Sequence, residues 1–246
     1  MRVLAAGALR AIPPPGKADI MWTTALYCAV LGFAVVALWG LRRWAQTWGT
    51  TLKELSRSWA GDELSPEAVE ISTRAITISA PVETVWAWLI QIGQDRAGFY
   101  SYTWLENLFR CAMPRVERLV PEWQERTVGE TVWLAGRDRY QGEARQKVVQ
   151  IIRGRVLTLA SPSDWGRILR RETSHGGTWA FILAPIDGNT TRLVVRSRGP
   201  EAPTLLGRLF WMLVFEPAHF IMERKMMLRL KALAERTGRP AISLAS

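Results

Sequence analysis

The feature that most constrains this chain is a stretch without a single charged residue, Ile20 to Leu41. At about 1.5 Å of rise per residue, a helix of this length is roughly 33 Å long, enough to cross a hydrocarbon core of about 30 Å. Arg42 and Arg43 close its C-terminal end, and Trp39 and Trp44 lie where interfacial aromatic residues are common. We therefore predict a single transmembrane helix over residues 20–41.

Two other interpretations of this stretch stay open, a cleaved signal peptide and a buried helix. The apolar part of a signal peptide is about 7–15 residues long, and no small-x-small cleavage site follows here. Met21 is an alternative start of the chain. Basic residues after the stretch slightly outnumber those before it, which favours a cytoplasmic C-terminal domain. They are Arg42, Arg43, Lys53 and Arg57 against Arg2, Arg10 and Lys17.

The net charge of the chain limits the classes of partner that it is expected to bind. The 246 residues carry a net charge of +10. The arginines are scattered, and no zinc-finger, helix-turn-helix or RNP-like pattern accompanies them, so nucleic acid is not the expected partner. An anionic membrane surface explains the charge better. The two cysteines, Cys28 and Cys111, indicate no disulfide framework.

The stretch from Arg74 to Phe109 predicts a strand followed by two helices. Residues 74–79 alternate polar with apolar, which is typical of a half-buried strand. Pro81 is typical of a first helical turn. Thr103 with Glu106 predicts a capping box at the start of the second helix. The first helix would bury four apolar residues that share one face: Val82, Val85, Trp86 and Leu89.

Three segments of this region carry a resemblance to a known family: Ile76–Pro81, Val85–Trp86 and Gly98–Asn107, the last being GFYSYTWLEN. From about Asp62 to Arg236 the chain resembles the SRPBCC group, the START-like superfamily of polyketide cyclase/dehydrase-like and lipid-transfer proteins. The resemblance implies an α+β helix-grip fold, in which a curved antiparallel sheet wraps a long C-terminal helix over an apolar cavity. It implies no single reaction, because the superfamily holds enzymes, carriers and receptors.

The later part of the chain predicts the remaining strands of this sheet. They are expected at residues 131–134, 144–152, 156–160, 178–183 and 191–198. Tight turns at Arg153–Arg155 and Asp187–Gly188 would make the sheet antiparallel. Residues 111–126, interrupted by prolines, would form a loop or short helix over the cavity mouth.

A long helix is predicted from Leu205 to Arg236, with a kink at Pro217. Its second part has one apolar stripe, formed by Met222, Met226, Leu230 and Leu233. The segment from Leu209 to Phe215 is apolar all round, so it must be buried by the sheet, by a ligand or by lipid. We expect residues 1–60 to form the membrane anchor and a connector, and residues 61–246 to form the ligand-binding domain.

No catalytic or cofactor motif is visible. The histidines, His175 and His219, are far apart, and HExxH, GxGxxG, the P-loop and GxSxG are all missing from the sequence. We therefore predict no metal and no cofactor, and we assign no catalytic residue, which weighs against an enzyme. The residues expected to line the cavity are Tyr100, Tyr102, Trp86, Trp179, Phe215, His219 and Met222.

Each polar candidate also has an ordinary structural interpretation. Tyr100 and Tyr102 could donate to a ligand carbonyl, or they could pack with their hydroxyls on backbone groups. Glu106 could act as an acid or base if burial raised its pKa, although a cap explains it equally. Glu172 with His175 could form an acid–base pair, or lie in a solvated loop. Three arginines could meet an anionic head group or a solvated outer face: Arg192, Arg196 and Arg198.

Two hypotheses follow for the function. The first is a membrane-tethered protein that binds a hydrophobic small molecule or lipid. The alternative is a polyketide cyclase/dehydrase-like enzyme that acts on a carbonyl compound in the same cavity, and it predicts polar side chains converging within hydrogen-bond reach of one another. A third, weaker hypothesis is a plain interaction partner of another membrane protein.

Overall fold

The computed structural model describes residues 16–172, 177–200 and 202–238. The chain divides into two compact units, one ending at Arg43 and the other beginning at Trp44. The α-helices of the described residues are α1 Lys17–Gln46, α2 Leu52–Ser56, α3 Val82–Leu89, α4 Thr103–Leu108, α5 Pro162–Leu169, α6 Leu205–Phe210 and α7 Glu216–Thr237. The strands are β1 Glu70–Ile78, β2 Thr131–Trp133, β3 Arg145–Ile152, β4 Val156–Ala160, β5 Thr178–Asp187 and β6 Thr190–Gly199.

The first unit consists, in its described part, of the predicted apolar helix. Every residue of α1 from Met21 to Leu41 is exposed. Within Met21–Gln46, an 18-residue window has a mean hydropathy of 2.0, and the stretch is long enough to cross a membrane. A signal sequence near the N-terminus can also form an apolar helix, so these properties establish a spanning-length apolar helix, and its insertion stays a prediction.

The second unit is built on a sheet in which the described residues contribute six strands in the order β1-β6-β5-β4-β3-β2. All neighbouring strands are antiparallel. The predicted tight connections join β3 to β4 and β5 to β6. Strand β1 pairs with β6 and forms one edge of the sheet. The sheet and the long C-terminal helix form the predicted α+β helix-grip architecture.

The main core lies between one face of the sheet and two helices, α3 and α7. Strand alternation puts every second side chain of β1 and β6 on this face. The apolar stripe of α7 is buried against it, as predicted for Met226, Leu230 and Leu233. Burial on this scale holds α7 to the sheet, although Leu205–Thr237 is also long and apolar enough to span a membrane.

The other face of the sheet is covered by residues 54–64. Trp59 packs there against Ala75, Ala180, Ile182 and Val194. The loop before α2 crosses β1 so closely that a Cβ on Gly49, whose φ is +75°, would lie 2.1 Å from the Ala75 carbonyl oxygen. Glycine is therefore required at that crossing.

The three arginines expected to meet an anionic head group or solvent lie on this covered face and bind carboxylates there instead. Arg192 binds the Glu54 carboxylate at 2.8 Å, and Arg196 binds Asp62 at 2.6 Å. Arg198 lies 3.5 Å from the same Asp62 oxygen. These cations therefore fasten the segment before β1 to the sheet.

One local prediction needs correction, and the structure adds a detail to another. The capping box predicted from Thr103 and Glu106 is wrong, because Thr103 is already the first helical residue, the cap position is Tyr102, and no side chain caps it. Glu106 is buried instead. Near Pro217 the long helix changes to π geometry over Trp211–Phe215, since proline has no N–H to donate to the preceding turn.

Candidate ligand-binding cavity

A cavity of about 1120 Å³ lies between the sheet, α4 and the helical segment 205–226. Ligand pockets in proteins commonly occupy about 300–1,000 Å³, so this one would hold a molecule of lipid or polyketide size. Most of its walls are apolar. The large apolar side chains among them are Ile71, Phe99, Leu105, Phe109, Leu134, Trp179, Phe210, Trp211, Phe215, Met222 and Met226.

Four of the seven predicted lining residues border this cavity: Trp179, Phe215, His219 and Met222. Tyr100 and Tyr102 instead border a smaller pocket of about 300 Å³. Trp86 lies in the main core and borders neither pocket.

Tyr100 has the ordinary structural role. Its hydroxyl donates to the Trp88 carbonyl oxygen at 3.0 Å and accepts from Gln91 Nε2 at 2.9 Å. Burial raises the pKa of this phenol, so it stays protonated. The hydroxyl of Tyr100 therefore stabilises the turn between α3 and α4.

His219 projects from α7 between two aromatic rings that line the cavity. Its ring stacks on Phe215 with centroids 5.9 Å apart and meets Trp179 edge-on at the same distance. The side chain keeps 30% exposure, yet it faces apolar walls. Desolvation by burial lowers its pKa, and the nearby Glu223 opposes that shift. The imidazole is therefore neutral near pH 7.

A buried ion pair lies directly beside His219. Arg74 Nη1 is 2.7 Å from Glu223 Oε1, and both side chains are almost fully buried. The second oxygen, Oε2, accepts from Trp179 Nε1 at 2.8 Å and lies 3.6 Å from His219 Nε2. Arg74 Nε donates to the Ala45 carbonyl oxygen at 2.8 Å. Polar groups from β1, β5 and α7 thus converge on one wall of the cavity.

Arg74 and Glu223 were missed as a pair by sequence reasoning, although a signal was present. Arg74 shares the strand parity of Ile76 and Ile78, so it falls on the apolar face of β1. Glu223 precedes Met226 by three residues and Met227 by four, which puts it on the buried stripe of α7. Opposite charges placed on two buried faces predict a pair.

Glu106 is a further polar residue on the cavity wall. The residue is 5% exposed, and no described residue donates a hydrogen bond to its buried Oε2. Desolvation by burial raises the pKa of this carboxyl to about 7. Cys111 and Tyr140 also line this end, and the Tyr140 hydroxyl donates to the Phe109 carbonyl oxygen. Glu106 therefore exchanges a proton near neutral pH.

The remaining predictions concern metals and one acid–base pair. Among the described residues, no group of three or more His, Cys, Asp and Glu side chains could hold a metal ion. His175 lies outside the described residues, so its pairing with Glu172 stays a prediction. Glu172 itself binds Arg170 at 2.7 Å.

Comparison with known proteins gives structural likeness alone. No family model matches the chain, and no curated protein matches it in sequence. The Zhui aromatase/cyclase from a Streptomyces species is 17% identical, with 70% of this chain and 98% of that chain covered and a TM-score of 0.39.

Two further solved structures are similar to the same degree. A polyketide-cyclase-like protein from Corynebacterium glutamicum is 17% identical over 70% of this chain and 88% of its own, with a TM-score of 0.30. The Aha1 dimer from Colwellia psychrerythraea is 15% identical over 69% and 97%, with a TM-score of 0.36. Likeness at this level says nothing about activity, so the function must be argued from the cavity.

Proposed function

We propose that this protein is a membrane-tethered member of the START-like superfamily that binds a hydrophobic small molecule or lipid. The observation that carries the proposal is the cavity of about 1120 Å³ with mostly apolar walls. Burying about 300 Å² of apolar ligand surface would contribute roughly 7 kcal/mol before the cost of association. The polar groups at Arg74, Glu223 and Glu106 would orient one or two oxygen atoms of an otherwise apolar ligand.

The test is to identify what the cavity carries. The full chain is purified from its native membrane in a mild detergent, and the bound molecules are extracted and identified by mass spectrometry. Ser197→Phe places a bulky ring on the cavity wall, and Asn189→Phe places the same ring at the exposed β5–β6 turn. We expect an apolar molecule to co-purify with the wild type and with Asn189→Phe, and to be depleted in Ser197→Phe. Equal recovery from all three proteins would contradict the proposal.

The tether is the other half of the proposal. The length, hydropathy and exposure of α1 support it. We expect the full chain to stay in the membrane fraction after alkaline carbonate extraction, and Leu31→Arg, a charge in the middle of α1, to release part of it. A wild-type chain that appeared shortened at its N-terminus, or that was fully extracted, would contradict the tether.

A second candidate function is a cyclase/dehydrase-like enzyme acting on a carbonyl compound. It is favoured by one observation, namely that a neutral imidazole and a carboxyl with a pKa near 7 line the same cavity. Glu106 would donate a proton as His219 accepts one. If so, the molecule recovered from Glu106→Gln should be a precursor that is heavier by one water molecule than the one recovered from the wild type. Identical molecules in both proteins would favour binding without turnover.

A further inference from the structure

Two segments beside the cavity expose large apolar side chains. We define the apolar collar as residues 103–110, which contain α4, together with residues 204–215, which contain α6 and the π-helical turn. Leu206 is 78% exposed and Leu213 is 58% exposed. On the α4 side, Trp104 and Leu108 are each 68% exposed. Exposed apolar side chains gathered in this way mark a contact surface.

The segment 204–215 is apolar both toward the cavity and away from it. Phe210, Trp211 and Phe215 line the cavity, whereas Leu206 and Leu213 lie among the most exposed apolar residues of the second unit. A helix that only closed a ligand pocket in water would carry polar residues on its outer side. The outer side of this segment is therefore suited to an apolar medium.

The two segments of the collar meet at the same opening. Phe109, from the end of α4, and Phe210, from the end of α6, both line the cavity. Each is also more than half exposed, at 62% and 57%. A medium that covered the collar would therefore lie directly against the cavity mouth.

The charges and aromatic residues of the collar indicate that the apolar medium covering it is a lipid bilayer. The exposed charged residues in these two segments are Arg110 and Arg208, both cations. Trp104 and Trp211 add indole rings, the side chains that prefer the interface between acyl chains and head groups. Cations beside exposed apolar residues complement anionic phospholipid, and the chain as a whole carries a net charge of +10.

We propose that the apolar collar inserts into the interfacial region of an anionic lipid bilayer, with the cavity mouth facing the acyl chains. This inference rests on the proposed binding function and specifies its route, because a ligand would pass between bilayer and cavity without crossing water. It adds a second membrane contact to the one made by α1. The collar docks the second unit onto the surface, and α1 keeps the chain in the membrane.

The experiment measures the depth of the collar in lipid. The full chain carries Cys28→Ser and Cys111→Ser, and one new cysteine, Leu213→Cys, is labelled with a nitrobenzoxadiazole fluorophore. The matched control carries the cysteine at the exposed β5–β6 turn, as Asn189→Cys. Both proteins are reconstituted into nanodiscs of phosphatidylcholine and phosphatidylglycerol, with and without lipids that carry a spin label on the acyl chain.

We expect the probe at position 213 to emit at shorter wavelength and to be quenched several-fold more by the spin-labelled lipid than the probe at position 189. Arg110→Glu with Arg208→Glu should weaken that quenching, and so should replacing phosphatidylglycerol with phosphatidylcholine. Equal quenching at the two positions would overturn the proposal. A blue-shifted but unquenched probe, together with a cross-linked dimer, would assign the collar to a second copy of the chain and would overturn it equally.

The experiments distinguish a failure of the membrane-docking proposal from a failure of the ligand-binding proposal. A protein that carries a co-purified apolar molecule but shows no quenching at position 213 would keep its binding function and lose the docked collar. Quenching at position 213 without a co-purified apolar molecule, in the wild type as well as in Ser197→Phe, would contradict the binding function and keep the docked collar.

Discussion

Glu223 and Glu106 are both buried carboxylates on the wall of the same cavity, yet their surroundings differ in almost every respect. Glu223 has an oxygen 2.7 Å from Arg74 Nη1 and accepts from Trp179 Nε1 with the other. Glu106 keeps Oε2 without a donor among the described residues and has a pKa raised to about 7. Glu223 therefore holds α7 on β1 through its contact with Arg74. Glu106 remains available to bind a ligand or a proton.

This difference follows from the cost of burying charge. Burying a carboxylate is costly unless a counter-charge and hydrogen bonds accompany it, and Glu223 has both. A carboxyl without them has a raised pKa, as Glu106 does. Natural chains remove such groups unless they are useful, so the carboxyl without a donor is the better functional candidate.

The largest effect that would sharpen this comparison is expected at Glu223. Glu223→Ala leaves the Arg74 guanidinium buried without its counter-charge, which should cost about 3–5 kcal/mol of the free energy of unfolding. The measurement is the thermal midpoint of the full chain in detergent. The matched control, Glu117→Ala, removes a half-exposed partner of Arg229 and should cost no more than about 1 kcal/mol. If both variants lost the same stability, the Arg74 pair would not be what holds α7.

Glu106 should behave in the opposite way. Its pKa is raised from 4.5 to about 7, so the folded protein holds a proton that the unfolded chain releases as the pH rises through that range. Stability is therefore lost between about pH 4.5 and 7, and Glu106→Gln should remove the loss. Above pH 7 the variant should be more stable than the wild type by on the order of 2 to 3 kcal/mol.

The control for this prediction is Glu83→Gln, which changes an exposed carboxylate at the start of α3. Thermal midpoints of the three proteins are compared across pH 4 to 8 in the same detergent, a range of roughly four units that brackets the raised pKa. Glu83→Gln should follow the wild type at every pH. A Glu106→Gln protein that was less stable than the wild type at high pH would show that the carboxylate has a partner and would break the comparison.

The smallest effect on stability is expected at His219, which lies next to Glu223. Its pKa is lowered by desolvation, so the folded state disfavours the protonated ring. Stability is then complete above the ordinary pKa of 6.5 and falls as the pH drops below it. His219→Phe keeps a ring against Phe215 and should change stability at pH 7 by no more than about 1 kcal/mol.

The check on this prediction is the acid side of the stability profile. His219→Phe should lose less stability than the wild type when the pH falls from 6.5, because it has no ring to protonate. A variant whose stability fell with acid as steeply as that of the wild type would show that other groups control this region.

Sequence patterns predicted the elements whose cause is local. The hairpin between β3 and β4 follows from Arg153–Arg155, and the buried stripe of α7 follows from the spacing of Met226, Leu230 and Leu233. The helix α5 was missed, since Pro162–Leu169 combines a proline, a glycine and two charged residues in a span of eight.

What could not be predicted depends on contacts between distant parts of the chain. Glu106 has the spacing of a capping residue, and only the cavity around it shows that it is buried without a donor. Trp59 falls in a polar stretch that suggested a connector, yet it packs on the outer face of the sheet. For Tyr100 the sequence left a ligand donor and a structural role open, and the contacts of its hydroxyl with Trp88 and Gln91 show the structural role. In each case the outcome depends on tertiary packing, which no local pattern contains.

The measurement that tests the central claim most directly is a photo-crosslink inside the cavity of the cell-expressed protein. Met222, which lines the cavity, is replaced by p-benzoyl-phenylalanine, and the exposed Asn189 is replaced in the same way as the control. After irradiation of intact cells, the account predicts that the peptide containing position 222 gains the mass of a small apolar molecule and that the peptide containing position 189 does not. An unmodified peptide at position 222, or the same adduct at both positions, would contradict the claim that this cavity holds a hydrophobic ligand.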